Sequence, residues 1–92
     1  MKIDISRKNK AEILVALYNA SRPLGMGIYD YTPIPMTIEE ARGYLKKDTY
    51  FHFIKGRILN VDLSGDELDT QKYDRDNGEG AAEKALSIVE DY

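Results

Sequence analysis

The chain contains no cysteine, no tryptophan, one histidine and two phenylalanines among its 92 residues. Without cysteine it has neither disulfides nor a thiolate zinc site. No G-x-S-x-G run accompanies its serines, so nothing supports a Ser-His-Asp triad. The single histidine, His52, falls in a strand-like run beside aromatics and is read as a packed or surface residue rather than a catalyst. No enzyme activity and no cofactor are expected. No apolar run approaches the roughly 20 residues that span a bilayer. Met1-Lys2-Ile3-Asp4-Ile5 lacks the apolar centre of a signal peptide, which predicts a cytoplasmic protein with no membrane partner. There is no long basic run and the net charge is −3. Duplex binding rests on many Lys and Arg contacts to phosphates, so DNA is disfavoured as a partner.

What is present is a balanced sequence, 42% hydrophobic and 32% charged, as in soluble globular domains. Residues 1–92 are read as one small domain with a thin core. Oligomerisation is a natural way for such a chain to bury more apolar surface. Lys2 to Ile5 alternates and predicts a short strand. Ser6 is the expected cap of a helix over Arg7 to Ala20, with Ile13, Leu14 and Leu17 on one stripe, Ala16 and Ala20 nearby, and Lys8, Lys10 and Glu12 on the solvated side. Pro23 stops that helix near Ser21-Arg22, because the residue before proline is pushed out of the α region. Ile28 to Tyr31 has the composition of a short strand.

Thr37-Ile38-Glu39-Glu40 matches a capping box and predicts a second helix over Ile38 to Lys47, with Ile38, Ala41, Tyr44 and Leu45 on one face. Thr49 to Ile54 and Arg57 to Leu63 are aromatic and β-branched, with Lys55-Gly56 between them, and predict a hairpin. If Lys55-Gly56 is the whole turn, Ile54 faces Arg57, Phe53 faces Ile58 and Phe51 faces Asn60. One hairpin face then carries Tyr50, His52, Ile54, Arg57, Leu59 and Val61, and the other Phe51, Phe53, Ile58, Asn60 and Asp62; each face mixes apolar and polar groups, so one end of each is expected to be exposed. Ser64 to Lys72 is polar, with a possible helical turn at Ser64-Gly65-Asp66-Glu67. A last helix is expected from about Glu79 to Glu90, with Ala82, Leu86 and Val89 as its stripe and Ala85 and Ile88 beside it. The expected fold is α+β, three helices packed on a β-hairpin with one or two further short strands.

The stretch Tyr73-Asp74-Arg75-Asp76-Asn77-Gly78-Glu79-Gly80-Ala81-Ala82 is where chemistry concentrates. Asp76 or Asn77 is placed to cap the last helix. Gly78 and Gly80 permit positive φ and leave no side chain in the way. The expected result is a helix N-terminus with free amides, suited to a phosphate. The plainer alternative is an ordinary capped helix after an Asn-Gly turn. The acids from Asp62 to Glu79 raise a calcium-loop reading, but with Gly78 at the sixth position the ligand places fall on Tyr73, Arg75 and Lys84, so the EF-hand pattern fails and a solvated acidic face is expected.

Tyrosine accounts for 7 of the 92 residues, and Tyr18, Tyr29, Tyr31, Tyr50 and Tyr73 share the segments that carry Arg22, Lys55, Arg57 and Arg75. Arginine pairs with phosphate by a planar fork, tyrosine faces stack on any nucleobase, and Asn and Asp hydrogen-bond a base edge. These groups suit a small phosphate-bearing nucleotide. The residues expected to bind it are Tyr18, Arg22, Lys55, Arg57, Tyr73, Arg75, Asp76, Asn77, Gly78 and Gly80. The alternative is that the tyrosines are core and rim residues of a small fold.

The runs Tyr18-Asn19-Ala20-Ser21-Arg22-Pro23-Leu24-Gly25-Met26-Gly27, Pro35-Met36-Thr37-Ile38-Glu39-Glu40-Ala41, Tyr50-Phe51 with Lys55-Gly56-Arg57, and Tyr73 to Ala82 together resemble a family of small phage proteins, the phage anti-CBASS sponges, over nearly the whole chain. The resemblance implies a homotetramer in the cytoplasm of an infected bacterial cell. It implies that the protein binds 3′,3′-cyclic GMP–AMP or a related signal, such as a cyclic ADP-ribose isomer, and holds it without cleaving it, so inhibiting CBASS-type antiphage defence. A second reading, from another class, is a protein–protein inhibitor that docks on a host enzyme through its acidic face. The even spread of Lys and Arg among the acids and the modest net charge weaken it.

Overall fold

A computed structural model describes residues 1–21, 34–47, 51–54 and 57–91, with the backbone alone at 51–53 and 57. The expected strand over Ile28 to Tyr31 and the Lys55-Gly56 turn lie outside these residues. Within them the architecture is α+β, in the order β1 (Lys2–Asp4), α1 (Lys10–Ala20), α2 (Ile38–Leu45), β2 (Phe51–Ile54), β3 (Arg57–Asn60), β4 (Glu67–Asp69), α3 (Gln71–Asn77) and α4 (Ala81–Leu86). No helix among the described residues is long and apolar enough to cross a membrane.

Helix α1 begins three residues later than expected because its cap is Asn9, not Ser6. The Asn9 side chain accepts from the amides of Ala11 and Glu12 at 2.9 and 3.4 Å, satisfying two of the donors a helix start leaves unpaired. The Ser6 amide instead donates to Asp4 Oδ1 at 2.9 Å, which holds the Asp4 carboxyl below its ordinary pKa. Ile13, Leu14 and Leu17 are buried as the periodicity predicts, with Ala11, Ala16 and Tyr18 beside them. The helix ends at Ala20, next to the expected stop near Ser21-Arg22. Lys8 departs from its expected solvated place. Its Nζ donates to the Val89 carbonyl and pairs with Asp91, both at 2.7 Å, and so ties the C-terminal segment to the start of α1.

The capping box of α2 forms in full. Glu40 N donates to Thr37 Oγ1, and Thr37 N donates to Glu40 Oε1, each at 3.2 Å. Ala41 is buried while Ile38, Tyr44 and Leu45 pack against the core from its edge. Strands β2 and β3 pair antiparallel in the expected register, Ile54 with Arg57, Phe53 with Ile58 and Phe51 with Asn60. Ile54, Leu59 and Val61 form the inner face, fully buried, while Ile58 and Asn60 are half-buried on the other. Period-two alternation decides this, because a one-residue slip would turn the apolar set outward.

Two elements depart from expectation. The polar run after Leu63 holds a strand rather than a helical turn. β4 pairs antiparallel with β1, Lys2 opposite Asp69, Ile3 opposite Leu68 and Asp4 opposite Glu67. Main-chain bonds extend the ladder at both ends, Ile5 N to Asp66 O at 2.8 Å and Thr70 N to Met1 O at 3.0 Å. Leu68 is its one buried residue and Thr70 follows it into the core, where its hydroxyl donates to Met1 O. Tyr73 to Asn77, for which no helix is expected, lies within α3. The described residues therefore hold four helices and two two-stranded sheets. α3 starts with Asp69 Oδ1 accepting from Gln71 N at 3.0 Å, and α4 is only six residues long.

Candidate functional site

The link between α3 and α4 turns on two glycines. Gly78 has φ 109° and ψ 151°, and Gly80 has φ 74° and ψ 7°. Gly78 and Gly80 both use the positive φ that glycine permits, and Gly80, expected within the first turn of the last helix, instead precedes it, since α4 starts at Ala81. The free helix end was not obtained. Asp74 Oδ1 accepts from Ala82 N at 3.0 Å, and Ala81 N donates to the Gly78 carbonyl at 3.1 Å. A carboxylate of the chain itself thus sits at the start of α4, where the helix dipole favours an anion. Asp76 and Asn77 do not cap this helix, because α3 runs through both of them. The phosphate site expected at Gly78 and Gly80 is replaced by an internal cap. Asp74→Ala is expected to cost about 0.5–2 kcal/mol, the ordinary worth of a cap; urea titration measures it, and an unchanged midpoint would show that the cap contributes nothing.

Two of the expected base-stacking rings are core residues. Tyr18 is 0% and Tyr73 1% exposed, so neither offers a face to a base within one copy of the chain. The Tyr73 hydroxyl donates to the Leu17 carbonyl at 2.6 Å. Leu17 lies in the last turn of α1, where carbonyls lack a helical partner. Arg22 and Lys55 lie outside the described residues, as do Tyr29, Tyr31 and Tyr50. Arg57 opens β3 opposite Ile54.

The remaining expected residues do come together. Arg75, Asp76 and Asn77 share the last turn of α3, and α3 packs on β3. The Asn60 side-chain amide donates to Asp76 Oδ2. Arg75 Nε stands 3.9 Å from Asp76 Oδ1, with 72% of the Arg75 side chain exposed. That distance is at the outer limit of an ion pair, so the guanidinium stays available to solvent. Asn77 is half-buried and its Nδ2 donates to the Tyr73 carbonyl at 2.9 Å. The edge thus presents a cation, a carboxylate and an amide side by side.

Of the acids read as a solvated face, Asp66, Glu67, Asp69, Asp76 and Glu79 are exposed, while Asp62, Asp69 and Asp74 accept from main-chain amides. Asp62 Oδ1 accepts from both the amide and the hydroxyl of Ser64, at 2.9 and 2.6 Å. These bonds hold the Asp62 carboxyl below its ordinary pKa, the hydroxyl contributing most. Among the described residues no three of His, Asp and Glu gather into a group that could hold a metal ion.

One feature has no counterpart in the sequence reading. A groove of about 770 Å³ runs between α1 and α4 with Ile38 of α2 at its side. Its walls include Val15, Ala16, Ala20, Ala81, Ala85, Ile88 and Val89, and its polar lining comes from Glu12, Asn19, Asn77, Lys84 and Glu90. The signal that could have found it is the pair of four-residue alanine spacings, Ala16 with Ala20 and Ala81 with Ala85. Small side chains on two facing helices leave space between them. Comparisons with protein-family models, with curated proteins and with solved structures find no match to this chain.

Proposed function

We propose that this chain is a binding protein that sequesters a cyclic nucleotide signal, 3′,3′-cyclic GMP–AMP or a related molecule, without cleaving it. The reading takes its ligand class from the resemblance to the phage anti-CBASS sponges. The single observation that supports it is the α3 edge, where the exposed Arg75 guanidinium stands beside Asp76 and Asn60. A guanidinium suits a phosphate, and a carboxylate next to an amide suits the hydrogen-bonding edge of a base. In this reading Arg75 binds phosphate and Asp76, oriented by Asn60, binds the base. Buried Tyr18 and Tyr73 support the helices behind the edge and take no part in stacking.

The test is calorimetry with a panel of cyclic nucleotides, followed by heating and recovery of the ligand. Intact ligand after saturable binding supports sequestration. Cleaved ligand would replace it with an enzyme, and no binding by any member of the panel would favour docking on a host protein through the acidic face. Arg75→Ala is expected to lower affinity more than tenfold, because a charge-assisted hydrogen bond contributes about 1.5–3 kcal/mol. The fold should be unaffected, since most of that side chain lies in solvent. Wild-type affinity in Arg75→Ala would remove the edge from the site.

A further inference from the structure

The chain has four asparagines, and only Asn77 is followed by glycine; Asn9, Asn19 and Asn60 precede Lys10, Ala20 and Val61. That step governs the reactivity of the side-chain amide. The main-chain nitrogen of the next residue can attack the asparagine Cγ, and a side chain on that residue hinders the approach. Gly78 has none, and its backbone bends freely toward the attack. Asn77 is therefore the most reactive amide that the sequence offers.

The fold holds that reaction in check. Asn77 is the last residue of α3 and is half-buried. Its Nδ2 donates to the Tyr73 carbonyl at 2.9 Å, and Gly78 N donates to the Asp74 carbonyl at 2.7 Å. The nitrogen that would leave and the nitrogen that would attack are thus both engaged, on carbonyls one turn back in the same helix. A helical backbone at Asn77 also aims the Gly78 nitrogen along the helix rather than at Cγ. Yet both bonds belong to a final turn, and helix ends open far more readily than the fold as a whole.

We propose that Asn77 is a site of spontaneous deamidation, gated by opening of the last turn of α3. In the opened turn Gly78 N loses its proton and bonds to Asn77 Cγ. The Cγ–Nδ2 bond breaks, and ammonia leaves with that proton, giving a succinimide ring. Water then adds to one of the two ring carbonyls and opens the ring to aspartate, or to isoaspartate with the chain running through the side-chain carbon. The product cannot rebuild the native turn. A carboxylate replaces the donor to the Tyr73 carbonyl, at the helix end where the dipole disfavours an anion and in one turn with Asp74 and Asp76. Deamidation thus releases the α3–α4 link irreversibly. The inference draws nothing from the nucleotide reading, so either stands if the other fails.

Incubation of the whole chain at mildly alkaline pH, folded and in urea, with peptide mass spectrometry over time, tests it. Asn77 should convert first of the four asparagines, and at least about 10-fold more slowly in the folded chain than in the unfolded one. Well below the unfolding midpoint, added urea should leave the folded rate nearly flat, because opening one turn exposes little surface. Asp74→Ala, which frees Ala82 N from α3, should speed conversion in the folded chain about threefold or more. If that variant fails to fold, the urea series on the wild type gives the answer. Asn77→Asp, which carries the product side chain, should melt about 4 °C or more below wild type. A folded rate equal to the unfolded rate overturns the proposal, as does an Asn77 that stays intact in the folded chain. So does a folded rate that climbs with urea as steeply as the unfolded fraction, since global unfolding would then be the route.

Discussion

Tyr73→Ala is expected to remove about 3–5 kcal/mol of folding stability, the range for deleting a buried aromatic side chain. Small domains hold only about 5–15 kcal/mol in total, so much of this protein would be unfolded or easily unfolded at room temperature. The cause is twofold. Tyr73 is 1% exposed, and its ring fills the space between α3 and the end of α1. Its hydroxyl also satisfies the Leu17 carbonyl. Tyr73→Phe separates the two contributions: the ring remains, and a buried carbonyl loses its donor at a cost of about 1–3 kcal/mol. Urea unfolding followed by circular dichroism should rank wild type above Phe and Phe above Ala. A Tyr73→Ala protein with the wild-type midpoint would show that Tyr73 does not anchor α3 in the core. Loss of ligand binding in Tyr73→Ala would say nothing about stacking, because the fold is lost with it.

Gly78→Val is the second large effect, expected at about 1–3 kcal/mol or more. With φ 109° and ψ 151°, Gly78 occupies a region that is nearly closed to residues with a Cβ. The conformation cannot relax cheaply, because both main-chain groups are engaged. Gly78 N donates to the Asp74 carbonyl at 2.7 Å, and Gly78 O accepts from Ala81 N. These bonds bring α4 back so that Ala82 N meets Asp74. Gly80 offers the internal control. Its φ of 74° and ψ of 7° fall in the left-handed helical region, and a Cβ there would meet nothing within 4 Å. Its substitution cost is therefore conformational alone, about 1–2 kcal/mol for alanine, and less for asparagine, which tolerates that region. The expected order of thermal stability is wild type, Gly80→Asn, Gly80→Ala, then Gly78→Val. A Gly78→Val protein as stable as Gly80→Asn would contradict the backbone geometry of the link.

Much of the fold was legible because the relevant physics is local. Thr37 and Glu40 form their box from residues three apart. α1 stops at Ala20, just short of Ser21-Arg22-Pro23, where the restriction that proline places on the residue before it predicts the end. The register of the β2–β3 pair follows from a two-residue spacing and alternation. The candidate site was less legible. Gln71-Lys72-Tyr73-Asp74-Arg75-Asp76 reads as a polar surface run with one aromatic available for stacking, and only the packing of α3 against α4 and β3 turns that ring inward, where its hydroxyl reaches Leu17 of α1.

The sequence by itself determined an α+β chain without disulfides, where α1 stops and α2 starts, and the register of the hairpin. Each rests on interactions within a few residues or on a simple periodicity. Tertiary structure decided the rest. Glu67-Leu68-Asp69 is too short and too polar to announce a strand, and it is one because β1, more than sixty residues earlier, offers it a ladder. Asp74 rather than Asp76 or Asn77 caps α4 because α3 continues through the expected capping residues. Tyr73 is buried because its hydroxyl partner is 56 residues away in α1. The groove exists because alanines on α1 and α4 come to face one another. Long-range pairing carries no local signature, since the free energy that selects it is gained only when distant segments meet.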